Sequence, residues 1–491
     1  MPITRKWRIC LNSDKFSGSL FDQLAAYAAG NVCPMHMPGH KRKALGSPLP
    51  LELDITEITG FDNLHEARGI LRQGMDRAAR LWGSRRAYYL INGSSGGILA
   101  GIAAAAAPGS RVILARGCHK SVYHALELRG LRPVYLQPDA DAAFGVAGSV
   151  QPDQLAAALD AHPDTKLVIL TSPTYEGVVS DIAALAALCH RRGIPLLVDE
   201  AHGAHLGFDP AFPAGAVACG ADIVVQSLHK TLPSPTQTAL LHLCSDRVSA
   251  EGLERQLAVF QTSSPSYLLM GGIDFCLRMV EQEGPALFAA YAKRLAAFDE
   301  TTRPLARLRV LCHGADSPAA HPGFFAFDPG KLVISTRYAG RTGGWLKDRL
   351  REEYGIELEM AMGNYALAMT SVCDEDRDLD RLARALLEMD RELEAAPCPP
   401  NQPLLPLPQV VLDPAAARQQ ETELCDLAQA QGRLAGEMVW AYPPGVPLLV
   451  PGERIGSPQL EALDRLTRQE VELHSESGFV PKKIRVLAPR Y

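Results

Sequence analysis

An α/β fold with a mostly parallel sheet is the class this sequence predicts, on three observations. Short apolar runs alternate with Ala/Leu-rich stretches of helical spacing, several runs end in charged or hydrogen-bonding side chains, and 491 residues exceed what one hydrophobic core serves. That alternation is the pattern of a parallel sheet covered by helices on both faces.

The elements follow in order. RVILA (111–115), LVIL (167–170), PLLVDE (195–200) and DIVVQS (222–227) are short aliphatic runs suited to buried strands. Between them, Gln151–Ala161 and Asp181–Arg192 carry apolar residues at helical intervals. The pattern turns irregular from Arg303 to Pro329. KLVIST (331–336) then predicts a strand and GGWLKDRLREEYG (343–355) a helix, the start of a small α/β domain. APCPPNQPLLPLPQ (396–409) reads as an extended linker, with a C-terminal α+β domain beyond it that contains the loop YPPGVPLLVPGE (442–453). The expected domains are 1–300, 301–395 and 396–491.

Composition narrows the function. With 47% hydrophobic and 21% charged residues and a net charge of -6 without a basic run, the chain offers no electrostatic footprint for nucleic acid or an anionic membrane. Small molecules are the expected partners. The N-terminus lacks the apolar core of a signal peptide, and the longest apolar run, Ile98 to Ala107, is too short to span a bilayer, so the cytoplasm is expected. Eleven cysteines without a C-x-x-C pair argue against a disulfide framework and a structural zinc site, and no metal is expected.

Three loops follow apolar runs, and in an open parallel sheet such loops gather where ligands bind. In "YYLINGSSGGILAGIAAAA", Gly93, Gly96 and Gly97 permit close backbone approach, Ser94 and Ser95 offer hydroxyls, and the following helix points its positive end there, a phosphate cradle by chemistry. An ordinary strand-to-helix turn with N-cap serines would read the same way. In "LLVDEAHGAHLGF", Asp199 and Glu200 close a near-continuous apolar strand, where a carboxylate is costly without a cation; a pyridinium nitrogen would serve, and helix capping is the alternative. His202 and His205 fit hydrogen-bonded loop residues equally well. In "ADIVVQSLHKTLPSPTQTALLHL", the strand ends in Ser227, His229 and Lys230. The 31 positions from Asp199 to Lys230 leave room for one crossover and one strand, so carboxylate and amine share an edge. A lysine, a buried aspartate and a phosphate cradle are the groups that pyridoxal phosphate requires.

"MHMPGHKR" (35–42), "DITEITGFDNLH" (54–65), "NGSSGG" (92–97), "GCHKS" (117–121), "DEAHGAH" (199–205), "QSLHKTLPSPTQTALLH" (226–242), "TSSPSY" (262–267) and "YPPGVPLLVPGE" resemble the motifs of the Orn/Lys/Arg decarboxylases over nearly the whole chain. These are fold-type-I, aspartate-aminotransferase-like pyridoxal-phosphate enzymes. The resemblance implies that Lys230 carries the cofactor as a Schiff base, that Asp199 pairs with the ring nitrogen, and that Ser94, Ser95, Ser227 and His229 bind phosphate. It also implies that His119 stacks on the ring, that His202 lies near ring and Schiff base, and that Ser264, in "TSSPSY", reaches the phosphate of a partner subunit in a homodimer. The MPGHKR motif within the first forty-odd residues resembles compact biosynthetic members without an N-terminal wing domain, often arginine decarboxylases of polyamine metabolism.

The implied reaction is decarboxylation of a basic amino acid, arginine favoured over lysine or ornithine, with Lys230 or His202 returning a proton to Cα. An aminotransferase or tailoring enzyme of the same fold, and a catalytically silent homologue acting as a binding partner, are the alternatives. The substrate's distal cation needs a fixed carboxylate, and Glu453, closing a loop stiffened by Pro443, Pro444, Pro447 and Pro451, is the candidate.

Overall fold

Aliphatic and β-branched runs bury both faces of a central sheet, and the sequence spacing between them sets its connections. The computed structural model describes residues 18–30, 32–43, 46–47, 49–141, 143–314, 316, 318–397, 405–441, 445–469 and 471–489. Residues 398–404, half of the expected linker, and Tyr442, Pro443 and Pro444 of the proline-rich loop lie outside the described residues.

Strands β1 (Arg86–Leu90), β2 (Arg111–Ala115), β3 (Arg132–Leu136), β4 (Thr165–Thr171), β6 (Leu196–Asp199), β7 (Ile223–Ser227) and β8 (Ala239–Leu243) form one seven-stranded sheet in the order β1-β8-β7-β6-β4-β2-β3; β5 (Val178–Val179) lies outside it. β3, β2, β4, β6 and β7 are parallel, and β8 runs antiparallel between β7 and β1. The strands anticipated from sequence fall within a residue or two of those observed. β6 and β7 are joined by irregular turns rather than a helix.

The helix Gly93–Ala105 lies on this sheet at close range. A Cβ at Gly97 would collide with Leu90 Cδ1 and approach Val225 Cγ1 to 3.0 Å, and one at Gly101 would approach Leu197 Cδ1 to 2.9 Å. Gly97 therefore serves helix-to-sheet packing, not the close approach to a ligand expected from the sequence. The 36-residue helix Tyr267–Thr302 then leads away from the large sheet. The expected boundary after residue 300 falls in its last turn.

β9 (Arg309–Val310), β11 (Lys331–Ser335), β12 (Met360–Met362) and β13 (Tyr365–Met369) make a four-stranded antiparallel sheet in the order β12-β13-β11-β9. The short β10 (Ala326–Phe327) pairs with β5, the Asp328 amide donates to the Gly177 carbonyl at 2.9 Å, and this junction carries the start of β11 to the large sheet. The C-terminal segment holds β14 (Thr422–Asp426) with β18 (Lys483–Leu487), and β16 (Val446–Leu449) with β15 (Val439–Ala441) and β17 (Leu473–Ser475). It buries its own apolar cluster, including Val439, Leu449, Leu463 and Val486. No described helix is long and apolar enough to cross a membrane.

Candidate active site

The parallel strands β2, β6 and β7 end at the same edge of the sheet, so the loops after them converge. β6 delivers Asp199, β7 delivers Ser227 and then Lys230 in the short helix Leu228–Thr231, and the loop after β2 delivers His119.

Lys230 Nζ lies 3.0 Å from His202 Nε2. His202 is buried, and the Tyr175 ring meets it edge-on at 4.6 Å. Burial first, then the amines of Lys331 and Lys230, holds the His202 pKa well below its usual range, so the ring is neutral. Burial also lowers the pKa of Lys230, against the pull of Asp199 and Glu359. Asp199 is 4% exposed and accepts the Ala201 amide at 3.1 Å; burial raises its pKa, with Lys230 opposing. A cation brought to this carboxylate would pull its pKa back down.

His119 caps the helix Lys120–Arg129: its Nδ1 accepts the Ser121 amide at 3.3 Å. Burial, with Lys230 next, lowers its pKa to about 4, which leaves a neutral flat ring suited to stacking.

The anion cradle is assembled around Gln237 and Thr238, whose carbonyls take the Gly93 amide at 3.0 Å and the Leu228 amide at 3.1 Å. The glycine-rich helix begins at Gly93, in the left-handed region at φ 69°, so Ser94 and Ser95 are its first turn rather than a preceding loop. Its N-cap Asn92 makes no side-chain cap bond, which leaves first-turn amides for an anion. Ser227 Oγ is fully buried with no hydrogen-bond partner among the described residues. His229 donates Nδ1–H to the Thr238 carbonyl at 3.0 Å. An orphaned hydroxyl near an uncapped helix start fits a phosphate, and the buried Asp199 fits a protonated ring nitrogen; the residues present suit pyridoxal phosphate.

Two expected residues stand apart. Ser264 is exposed, between the helices Ala250–Phe260 and Tyr267–Thr302, with its amide on Thr262 Oγ1 at 3.3 Å. Glu453 is 1% exposed and takes both guanidinium nitrogens of Arg116, Nη1 at 2.5 Å and Nη2 at 2.9 Å, as well as the Val450 amide at 2.8 Å. Its charge is already neutralised where the C-terminal segment meets the end of β2. The sequence reading of Glu453 as the partner of the substrate's distal cation is thereby corrected: a carboxylate saturated by an arginine has no charge left to offer.

Sequence reasoning missed Lys331, whose Nζ lies 2.8 Å from His202 Nδ1, and Tyr175. A lysine opening the apolar run KLVIST was the available signal. The sequence shows no clustered metal ligands, yet Cys312, Asp316 and His321 meet in space. His321 spends both ring nitrogens on carboxylates, Asp141 at 2.7 Å and Asp316 at 2.8 Å, and burial pushes the Cys312 thiol up to about 12, so the group stands as an ionic clamp.

Two family models match, "Orn/Lys/Arg decarboxylase, major domain" over residues 19–332 and "Orn/Lys/Arg decarboxylase, C-terminal domain" over 401–481. An arginine decarboxylase of Halalkalibacterium halodurans is 31% identical over 95% of this chain and 97% of its own length. One of Bacillus subtilis is 33% identical over 89% and 91%. Among solved structures, the lysine decarboxylase LdcF of Francisella novicida superposes with a TM-score of 0.81 over 96% of this chain and 81% of its own, at 19% identity, which speaks for the fold. The large sheet and its helices have the fold-type-I architecture, and the chain belongs to the Orn/Lys/Arg decarboxylase family.

Proposed function

We propose that this chain uses pyridoxal phosphate, bound at Lys230, to release the α-carboxyl group of arginine as carbon dioxide, with lysine and ornithine as lesser substrates. The observation that carries this reading is the half-buried Lys230 amine on His202, at the strand edge that also holds Asp199 and the orphaned Ser227 hydroxyl. Arginine comes first because the two relatives named above are arginine decarboxylases.

The bound cofactor supplies an electron sink for the charge left on Cα. The chain's residues do the rest. Lys230 offers the amine that holds the cofactor, and Asp199 keeps a proton on the ring nitrogen by ion pairing. The start of the helix Gly93–Ala105, Ser94, Ser95, Ser227 and His229 hold the phosphate, and His119 covers one ring face. Lys230 and His202 keep the proton that Cα needs after carbon dioxide leaves.

For the distal cation this reading turns to Glu359 and Glu176. Tyr175, whose ring packs on His202, donates its hydroxyl to Glu359, and Tyr365 donates to Glu176 at 2.8 Å. Both carboxylates act on buried Lys331, and Glu359 also on Lys230, so their field reaches the site. The working unit in this reading is a cytoplasmic homodimer of polyamine metabolism. Exposed Met35, Met37 and Leu49 in the N-terminal segment give it apolar surface to cover, and Ser264 is offered to the partner's phosphate.

The test is carbon dioxide release from arginine, lysine and ornithine after reconstitution, expected fastest with arginine and absent in Lys230→Ala. Amino transfer to a keto acid without carbon dioxide would favour an aminotransferase. A protein that stays colourless with pyridoxal phosphate would favour a silent homologue.

A further inference from the structure

We propose that Lys331 is a positioning residue that acts through His202 to keep the Lys230 amine unprotonated, and that the ring between them is a two-way proton relay. The inference rests on the reading that Lys230 is the cofactor-binding amine.

Two lysines meet one imidazole here. Lys331 Nζ lies 2.8 Å from His202 Nδ1, and Lys230 Nζ lies 3.0 Å from Nε2. A neutral imidazole has one N–H and one bare nitrogen, and an ammonium can only donate. Two ammonium groups therefore cannot both bond to this ring. One arrangement has Lys331 charged and donating to Nδ1 while Nε2–H donates to a neutral Lys230. The other has Lys230 charged and donating to Nε2 while Nδ1–H donates to a neutral Lys331.

The surroundings select between them. Lys331 is 1% exposed and follows Asp328 in the same tight turn. Burial alone would raise the Asp328 pKa, but His205 and Lys331 outweigh it and hold this carboxylate ionised. Asp328 accepts from His205 Nε2 at 3.1 Å. Burial and the Lys230 charge together lower the Lys331 pKa to about 8 against the fields of Asp328, Glu359 and Glu176, so its ammonium form still prevails at neutral pH. Lys230 faces Asp199, Glu359, His119 and His202, and the one nearby buried carboxylate, Asp199, is the group a cofactor ring nitrogen would occupy. Once a noncovalently bound cofactor takes up Asp199, Lys230 loses that counter-charge while Lys331 keeps Asp328, and the proton then belongs on Lys331.

The local backbone is shaped for this lysine. Gly177 sits at φ 105°, and a Cβ there would come to 2.7 Å from Lys331 Cγ and 3.3 Å from the Asp328 carbonyl oxygen. When Lys230 takes up a proton, the balance is simple. Nε2–H passes to Lys230, the Lys331 proton passes to Nδ1, and His202 ends neutral in its other tautomer; one positive charge has moved from Lys331 to Lys230, and the reverse step restores it.

The experiment is the pH dependence of imine capture, read by absorbance when the full-length cofactor-free protein meets pyridoxal phosphate. Lys230→Ala should capture nothing; capture there would instead overturn the reading of Lys230. In Lys331→Met the midpoint of the rate profile should rise by about one pH unit or more, a roughly tenfold slower capture near neutrality that recovers at high pH. In a His202→Asn background the same substitution should change the rate less than about threefold. An unshifted midpoint in Lys331→Met, or an equal shift without His202, overturns the inference. Should Lys331→Met not fold, ¹⁵N spectra of histidine-labelled wild type, with His202 assigned by loss in His202→Asn, decide the matter: Nε2–H with bare Nδ1 is expected, and the opposite tautomer sinks it.

Discussion

Ser227 carries a buried hydroxyl that no described residue satisfies, an expense in a folded protein unless a ligand completes it. Ser227→Ala should leave the cofactor-free protein as stable as wild type or about 1 kcal/mol more so, while weakening pyridoxal phosphate binding roughly tenfold to a hundredfold, as loss of a charge-assisted bond does. Chemical denaturation and cofactor titration measure the two effects separately. Glu200, next to Asp199, makes the opposite case. Its oxygens take the Ala216 amide at 2.6 Å and Gln226 Nε2 at 2.7 Å, neutral donors only, and burial pushes its pKa from 4.5 up to about 8. A folded pKa above the unfolded one contributes stability at low pH that is lost as pH climbs from about 4.5 through about 8. Glu200→Gln should flatten that slope in denaturation midpoints across the window. The site was legible at this scale where chemistry sits in one stretch of chain, as in Asp199 or Ser227-His229-Lys230. It was not legible for Glu200, whose cost is met by a glutamine 26 positions on rather than by a cation.

The helix Gly93–Ala105 joins two demands that one glycine-rich stretch cannot show apart. Gly93 sits at φ 69° to start the helix at the anion site, whereas Gly97 lies against Leu90 and Val225 on the sheet. Gly97→Ala gains about 1 kcal/mol of helix propensity but inserts a methyl into packed side chains, a cost of about 1–3 kcal/mol. It should therefore lower the melting temperature, and calorimetry of the cofactor-free protein checks this without reference to activity. Elements formed by contiguous runs, such as β2, β6, β7 and β11, were readable because their burial is written in three or four successive aliphatic residues. The β5–β10 pairing was not, because each strand has two residues and the partners lie about 150 positions apart. Lys331 was lost with that pairing, since only the junction brings it to His202.

At the scale of the whole molecule, ionic contacts tie distant segments together. His321 lies between Asp141, in the loop after β3, and Asp316. Burial would lower its pKa, but the two carboxylates outweigh it and raise it above the ordinary 6.5, so this clamp stabilises fully below that value and loosens as pH rises through the folded pKa.

Arg116 and Glu453 are the counterpart at the C-terminal segment, with Arg116 Nη2 also donating to the Leu448 carbonyl at 3.1 Å. Arg116 stands three residues before His119, so the docking that buries Glu453 also fixes the loop carrying the ring-stacking histidine. A proline-stiffened loop ending in glutamate reads from sequence as a fixed carboxylate for the substrate's distal cation, because the arginine that claims it lies 337 positions away. Glu453→Gln leaves a buried guanidinium without its counter-charge, which costs about 3–5 kcal/mol, whereas replacing both partners by apolar residues of similar size removes the desolvation penalty along with the attraction. The single variant should therefore unfold at clearly lower denaturant, with KM for the amino acid little changed in the protein that remains folded. The pair Arg116→Met with Glu453→Leu should recover most of the lost stability. A large rise in KM at unchanged stability would return Glu453 to the substrate.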